Sequence, residues 1–312
     1  MSSKKSKVKV LYIAGFERSG STVIHRVLGQ INEFIALGEL AFIWQMDLLD
    51  GRKCSCGESV SNCDFWKPVI NKAFGGIDKL DLQEIVRLQK KARIEILTDL
   101  FKLKDKNALC SKYKYYFETL EDFYSAIQST TKSRVIVDSS KVVWYASILE
   151  MLPNIELYVF HLIRNSNGVC YSLSRRKSGG EEESQWYNPL HASLSWTAKN
   201  SLVEKWLGGK KDRYLRMRYE DFVANPKIAI DTIQDLLQEE FLNPFSGEQN
   251  LLNVDGDHVI GGSPSSRSQT GIMKLKTDDK WKKEMNIMEK SLVTGLTFPL
   301  LMKYRYPLKI NK

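Results

Sequence analysis

The fold is decided by the stretch Val8-Lys-Val-Leu-Tyr-Ile-Ala14 and by the Gly15-Phe-Glu-Arg-Ser-Gly-Ser-Thr22 that follows it. The first part is short, nearly continuous in apolar residues and rich in β-branched side chains, which is typical of a strand buried on both faces of a parallel sheet. A helix is predicted over residues 21–28, because its apolar residues recur on one helical stripe. Residues 34–37 predict a second strand, so the segment forms one β-α-β unit.

The alternation of strands and helices resumes beyond residue 131. Strands are predicted over 134–138, 157–163 and 213–218, with a helix after each; a further helix spans 191–207. This pattern predicts an α/β fold, a three-layer doubly wound parallel sheet of the P-loop type.

Residues 41–131 lack the strand signature and show apolar residues at helical spacing. We predict a single domain over 1–312 with 41–131 inserted as a helical cap. The aromatic residues of the cap either line an apolar acceptor pocket, between the cap and the carboxyl edge of the sheet, or pack against one another.

Composition narrows the class of protein. The chain has 312 residues, 43% of them hydrophobic, and 46 Lys+Arg against 37 Asp+Glu give a net charge of +9. These values exclude collagen-like, low-complexity and disulfide-scaffold classes, and the charge indicates an anionic partner. No recognition helix or aromatic-basic repeat favours nucleic acid, and no apolar run approaches the roughly 18 residues that span a bilayer. We expect a cytoplasmic protein; its oligomeric state is not indicated.

The five cysteines are an odd number, which fits a reducing compartment. Three of them, Cys54, Cys56 and Cys63, lie close together in sequence. A zinc site would need a fourth ligand, and C-x-C is not the usual C-x2-C spacing. We therefore expect a packed loop with thiols, capable of a reversible disulfide, and no metal.

Residues 15–22 match the spacing of a phosphate-binding loop between a strand and a helix. Backbone N–H groups of such a loop, with the helix N-terminus behind them, form a pocket for a multiply charged anion. Ser21 stands where a lysine would reach the phosphates of ATP, and Arg18 supplies a cation inside the loop instead. No acidic strand end other than Asp138 is suited to magnesium. A kinase or ATPase is therefore disfavoured, and an anion-binding loop that needs no metal is favoured.

Two further segments carry groups suited to anions. Arg164 ends a predicted strand and Ser172 follows eight residues later, so the two could converge on a second phosphate. The basic residues 175–177 beyond them fit either that site or a solvated helix end. Residues 261–267, followed by Lys274, form a Gly/Ser/Pro loop, which by itself is most often only a loop.

These motifs, in this order, resemble the sulfotransferases that use 3′-phosphoadenosine-5′-phosphosulfate (PAPS). The similar segments are residues 17–22 for the 5′-phosphosulfate loop, 162–164 with Ser172 for the 3′-phosphate motif, 218–221 with 225–226, and 258–267 with Asp278 and Trp281 for the carboxyl-terminal cofactor loop. Residues 54–66 and 137–141 are similar to segments of soluble bacterial members. There is further similarity to protein-tyrosine and carbohydrate sulfotransferases.

The resemblance implies a set of cofactor contacts. Residues expected to cradle the 5′-phosphosulfate are Arg18, Ser19, Gly20, Ser21 and Thr22. Residues expected to hold the 3′-phosphate or other parts of the cofactor are Arg164, Ser172, Arg176, Tyr219, Arg267 and Lys274. A second arginine of the 3′-phosphate motif is missing, since residues 165–168 read Asn-Ser-Asn-Gly.

The resemblance also implies a reaction, the transfer of a sulfuryl group from PAPS to a hydroxyl or amine of a small-molecule or carbohydrate acceptor, with release of 3′,5′-ADP. Glu39 lies 21 residues past Arg18, the spacing of the general base in the protein-tyrosine enzymes. Arg18 and Lys141 are the residues expected to stabilise charge on the transferred group.

Several alternatives stay open at this stage. If the 21-residue spacing from Arg18 is set aside, Glu39 is better interpreted as a carboxylate at a helix start or in a salt bridge. The four histidines, His25, His161, His191 and His258, rank below it as bases. The rival functions are a P-loop nucleotide kinase with an altered loop and a non-enzymatic anion-binding protein.

Overall fold

The computed structural model describes residues 7–98, 106–178, 188–245, 251–253, 258–262 and 271–308. The strands are β1 Val8–Gly15, β2 Phe34–Gly38, β3 Val135–Lys141, β4 Ile155–Ile163, β5 Tyr214–Arg218, β6 Leu251–Asn253 and β7 Ile272–Lys274. The helices of the first half are α1 Ser21–Leu28, α2 Trp66–Phe74, α3 Leu82–Thr98, α4 Lys106–Lys112 and α5 Lys114–Thr131. Those of the second half are α6 Val143–Met151, α7 Ser166–Ser178, α8 Pro189–Leu207, α9 Tyr219–Ala224, α10 Pro226–Leu237, α11 Trp281–Glu284 and α12 Ile287–Lys303.

Five of the strands form one parallel sheet in the order β2-β3-β1-β4-β5. Strand β1 lies in the middle, with Leu11 opposite Val137 of β3 and Tyr158 of β4. All five carboxyl ends therefore meet at one edge of the sheet. The predicted α/β fold with a doubly wound parallel sheet is confirmed, and α1 begins and ends at the predicted residues.

The two faces of the sheet bury separate hydrophobic cores, because successive side chains of a strand point to opposite faces. Val10 and Tyr12 of β1 belong to one core, which they share with the helices between β2 and β3 and with α6. Leu11 and Ile13 belong to the other core, which is completed by α1 and α10. Because apolar side chains of β1 point alternately to the two faces, helices pack on both sides of the sheet.

In the described residues of the predicted cap, 41–98 and 106–131, the longer elements are all helices. It begins with a 3₁₀ turn, Leu40–Phe42, and a π-helix, Ile43–Leu49. Its aromatic residues pack against one another and against the sheet; the Trp44 and Phe123 rings, for example, lie 5.2 Å apart between centroids. Of the two roles considered for these aromatics, the structure shows packing. Whether the segment acts as a cap remains a prediction.

Asp138 is completely buried near the end of β3. Its Oδ2 accepts a hydrogen bond from the Tyr124 hydroxyl at 2.6 Å, and its Oδ1 accepts from the Ser140 backbone N–H at 2.8 Å. Burial raises the pKa of this carboxyl to about 6, against the lowering effect of these hydrogen bonds. Because both oxygens are bonded within the protein, Asp138 anchors the end of β3 rather than offering a ligand for magnesium.

No helix within the described ranges is both long enough and apolar enough to cross a bilayer.

The turn after β1 leaves no room for a side chain. Gly15 has φ +144°, and a Cβ on it would lie 2.4 Å from the Leu162 carbonyl oxygen of β4.

We expect Gly15→Ala to lower the free energy of unfolding by about 2 kcal/mol or more, since two paired backbones must separate. Gly295→Ala is the matched control: no atom lies within 4 Å of its Cβ position, and this exposed helical site should gain about 1 kcal/mol. Urea unfolding measures both; equal stability of the two variants would contradict the prediction.

Candidate active site

The loop from Gly15 to Gly20 leads directly into α1 at the carboxyl edge of the sheet. Gly20 has φ +88°, and a Cβ on it would lie 2.4 Å from the Tyr219 ring. Gly20 is the N-cap of α1 and supplies no side-chain hydrogen bond to its N-terminus. The Ser19 side chain is buried, and its Oγ has no hydrogen-bond partner among the described residues. The loop thus presents a helix N-terminus and an unsatisfied hydroxyl, as a site for an anion requires.

The structure brings the two predicted phosphate sites together. Arg18 Nε donates to Ser172 Oγ at 2.9 Å, although 154 residues separate them. Arg164 Nη1 donates to the Arg18 carbonyl oxygen at 3.0 Å. Residues expected to contact the 5′ and 3′ ends of the cofactor are therefore linked to one another by hydrogen bonds.

Arg164 is held from several sides where β4 ends. Its guanidinium lies over the Tyr219 ring, 5.2 Å from the centroid, and Nη2 donates to the Asp278 carboxylate at 3.0 Å. The side chain is 5% exposed, and its Nε has no hydrogen-bond partner among the described residues. A Cβ at Gly168 would lie only 3.2 Å from that Nε. Packing and one ion pair thus fix a guanidinium that retains an unused donor.

Lys274, Arg267 and Arg176 are the remaining predicted cofactor contacts. Lys274 is exposed on β7, which pairs with β6 in a separate two-stranded sheet. Arg267 and the side chain of Arg176 lie outside the described residues. Their roles remain predictions.

Glu39 and Lys141 form an ion pair at the ends of β2 and β3. Lys141 Nζ donates to Glu39 Oε1 at 2.5 Å and to the Ser139 carbonyl oxygen at 2.9 Å. Both side chains are mostly buried, with 16% and 13% of their surfaces exposed. Lys141 has φ +69°, a conformation that costs energy for a residue other than glycine.

The carboxyl-terminal part of the chain closes over Glu39. Ile260 pairs with Gly38 as a parallel bridge, and Glu39 N donates to the Ile260 carbonyl oxygen at 2.9 Å. A Cβ on Gly261 would lie 2.7 Å from the Glu39 Cβ. A small pocket beside this contact is lined by Glu39, Thr22 and residues 259–262, together with His25, Arg26, Gly38 and Ser139. The predicted base and the phosphate-binding loop therefore face the same pocket.

Comparison with known proteins identifies the family. A family model described as "Sulfotransferase family" matches residues 11–243. The chain belongs to the sulfotransferase family. No curated protein matches it.

Solved sulfotransferase structures are similar to this chain over most of its length. The sulfotransferase domain from the Synechococcus PCC 7002 olefin synthase is 21% identical, with 98% of each chain covered and a TM-score of 0.54. The sulfotransferase domain from the curacin biosynthetic pathway is 19% identical, with 97% of this chain and 99% of that chain covered and a TM-score of 0.49. The sulfotransferase from Alicyclobacillus acidocaldarius is 11% identical, with 97% of both chains covered and a TM-score of 0.42.

Of the four histidines of this sulfotransferase, His25 lines the pocket. Its ring is buried, and neither ring nitrogen has a hydrogen-bond partner among the described residues. Burial and the positive charges of Lys141 and Arg26 lower its pKa to about 3. The imidazole is therefore neutral and a weak base at pH 7.

The other three histidines lie elsewhere. Buried His161 is within 2.7 Å of the Tyr214 hydroxyl and 2.9 Å of Asn200 Oδ1, so its nitrogens are satisfied in the core. His191 is exposed at the start of α8, and His258 contacts Cys63. Their positions agree with the lower rank given to histidines as candidate bases.

Sequence reasoning missed the pairing of residues 259–261 with the Gly38–Glu39 segment. The available signal was the apolar pair Val259-Ile260 just before Gly261-Gly262, a short strand ended by glycines. A single isolated bridge carries almost no periodicity, so the sequence pattern does not predict it.

The buried imidazole of His25 predicts a pH effect on stability. Its folded-state pKa of about 3 lies below the ordinary value of 6.5, so the unfolded state binds a proton that the folded state does not. The contribution is present above pH 6.5 and is lost as the pH falls towards 3. We expect His25→Leu to reduce the loss of unfolding free energy between pH 6.5 and 4.5 by up to about 2.7 kcal/mol. Urea unfolding at both pH values measures it; an identical loss in the two proteins would contradict the assignment.

Proposed function

We propose that this sulfotransferase transfers a sulfuryl group from PAPS to a hydroxyl or amine of a small-molecule or carbohydrate acceptor, with release of 3′,5′-ADP. The observation that carries the proposal is that Glu39, which is paired with Lys141, lines the same pocket as Thr22 of the phosphate-binding loop. A carboxylate, an ammonium group and an anion-binding loop are the groups that such a transfer needs. The acceptor proton must be removed, and charge on the moving group must be stabilised.

The residues at the sheet edge fit the donor. Within the described part of the chain, buried Ser19 Oγ and Arg164 Nε have no hydrogen-bond partner, and Gly20 at the N-cap of α1 supplies no side-chain cap. We assign residues 18–22 to the 5′-phosphosulfate, and Arg164 with Ser172 to the 3′-phosphate. When bound, PAPS supplies an activated sulfuryl group and a leaving group that departs without protonation.

Glu39 is the proposed general base. Its backbone is hydrogen-bonded to Ile260, and Lys141 holds Oε1, which leaves Oε2 to accept the proton of the acceptor. Holding the carboxylate in one place before the reaction lowers the entropic cost of the proton transfer.

Lys141 and Arg18 are the proposed charge-stabilising groups. The Lys141 ammonium is fixed between Glu39 and the Ser139 carbonyl, and the Arg18 guanidinium is fixed by Ser172. Both sites are partly shielded from water, where a positive charge interacts more strongly with a developing negative charge. Neither role requires a metal ion.

The role of Glu39 is tested by Glu39→Gln, which keeps the shape of the side chain and removes the base. We expect the transfer rate to fall by about 10²-fold or more, while the affinity for 3′,5′-ADP stays within about threefold of the wild type, because no phosphate contact is lost. Glu118→Gln, at an exposed carboxylate on α5, is the matched control. Transfer is measured with radiolabelled PAPS across a panel of hydroxyl and amine acceptors. Turnover near the wild-type rate in Glu39→Gln would refute the role.

The donor site is tested by Arg164→Ala and Ser172→Ala. We expect Arg164→Ala to weaken binding of 3′,5′-ADP by about 10- to 100-fold, since it loses charged hydrogen bonds, and Ser172→Ala by about 2- to 10-fold. Because Arg164 also holds Asp278, thermal unfolding is measured in parallel, and Ser172→Ala supplies a variant with the ion pair intact. Isothermal titration with 3′,5′-ADP, ATP and an oligonucleotide gives the affinities. Binding of ATP or the oligonucleotide without binding of 3′,5′-ADP would contradict PAPS as donor.

A further inference from the structure

Four groups suited to a metal ion converge outside the catalytic pocket. They are the thiols of Cys54, Cys56 and Cys63 and the imidazole of His258, and their ligand atoms all lie within 4.8 Å of one another. Cys63 Sγ is 3.6 Å from Cys56 Sγ, 3.9 Å from Cys54 Sγ and 3.3 Å from His258 Nδ1. The sequence offered three cysteines without a fourth ligand, and the fold supplies that ligand from 195 residues away.

These distances match a tetrahedral zinc site. With Zn–S near 2.3 Å and Zn–N near 2.0–2.1 Å, the edges of a tetrahedron are about 3.8 Å between sulfurs and about 3.5 Å between sulfur and nitrogen. The three separations from Cys63 Sγ each lie within about 0.2 Å of these values. Three thiolates and one neutral imidazole form one of the usual closed sets of structural zinc ligands.

A tight turn presents the cysteines. Lys53 and Ser59 pair as an antiparallel bridge, and Cys54 N donates to the Glu58 carbonyl oxygen at 2.9 Å. Gly57, at φ +95°, closes the turn with a hydrogen bond to the Cys54 carbonyl oxygen at 3.0 Å. Cys63 N donates to the Ser59 carbonyl oxygen at 2.9 Å, which brings the third thiol back to the turn.

The imidazole is fixed from the opposite side. The Phe65 ring stacks on the His258 ring with centroids 5.4 Å apart, and Trp66 Nε1 donates to the His258 carbonyl oxygen at 3.1 Å. The next residue, Val259, exchanges hydrogen bonds with Ser55: Ser55 N donates to its carbonyl oxygen at 3.0 Å, and its N–H donates to Ser55 Oγ at 2.8 Å. These contacts fix the backbone at His258 and one face of its ring, so the imidazole is held in position beside the thiols.

A disulfide accounts for less of this arrangement. A disulfide would join two of the three sulfurs and would not involve the third thiol or the imidazole that pack beside it. Cys54 and Cys63 are also buried, whereas oxidation proceeds most readily at accessible thiolates. One metal ion uses all four groups.

We propose that Cys54, Cys56, Cys63 and His258 bind one structural zinc ion. The ion joins the turn after the π-helix to the carboxyl-terminal segment. Ile260 and Gly261 of that segment, two and three residues past the histidine ligand, contact Gly38 and Glu39. Zinc at this position stabilises one wall of the catalytic pocket without contacting the reacting groups. The proposal does not depend on the identity of the donor or of the base.

The test begins with the full chain, purified under reducing conditions without chelator and with zinc chloride added before desalting. We expect about one zinc per chain by inductively coupled plasma mass spectrometry. Replacement by cobalt(II) should give a thiolate-to-cobalt charge-transfer band and the intense visible bands of a tetrahedral site. This measurement on the unaltered chain does not depend on how any variant folds.

Variants assign the ligands. We expect Cys56→Ser, at the exposed ligand, to lower zinc affinity at least tenfold in competition with a chelator, because a thiolate is lost. Cys110→Ser, at a cysteine outside the cluster, is the matched control and should keep full zinc content. Less than 0.1 zinc per chain, a cobalt spectrum without thiolate bands, or a Cys56–Cys63 disulfide in the reduced preparation would each overturn the proposal. Equal zinc affinity in Cys56→Ser and the wild type would do the same.

Discussion

Strand β1 is hydrogen-bonded in parallel to β3 on one side and to β4 on the other, and this pairing determines where the polar strand ends lie. It places the carboxyl ends of five strands at one edge, so residues distant in sequence leave the sheet side by side. Glu39, Lys141 and Arg164 each lie at or just beyond such an end. The Gly15 turn follows from the same pairing, since the neighbouring strand occupies the space of its side chain. The positions of the candidate site residues are therefore set mainly by the pairing of the strands and less by the loops.

Polar residues are buried at this edge where most folds place solvent-exposed loops. Arg164 is compensated by an aromatic face, a carboxylate and a backbone carbonyl, and Asp138 by a tyrosine and a serine. Such partners offset the cost of removing charge from water, and they restrict each side chain to one position. Among the residues that the structure describes, the loop hydroxyl of Ser19 and one nitrogen of Arg164 have no such partner. Rigid surroundings with a few unsatisfied donors are the arrangement expected of a preorganised anion site.

Much of the fold could be predicted because its signals are local. The apolar run of β1 and the helical stripe of α1 lie within a few residues, and both elements have the predicted extent to within one residue. The sequence predicts that Ser172 lies with Arg164, whereas the structure pairs Ser172 with Arg18, a contact that motif order alone does not indicate. The contact of His258 with the cysteines could not be predicted in this way, because periodicity carries no information on which distant loop meets a given turn. For the same reason the sequence leaves two roles open for the aromatics of residues 41–131, and the structure shows packing for pairs such as Trp44 and Phe123.

The contact between Glu39 and Ile260 has a consequence for the synthesis of the chain. The two residues are about 220 positions apart, so at usual elongation rates roughly 10 to 40 s pass between their incorporation. During that interval β1, β2 and β3 can already pair, while the wall that covers the carboxylate does not yet exist. A nascent sheet therefore exposes Gly38 and Glu39 to other polypeptides until the later segment emerges. The pocket is complete only when Ile260 pairs with Gly38 at the edge of the sheet.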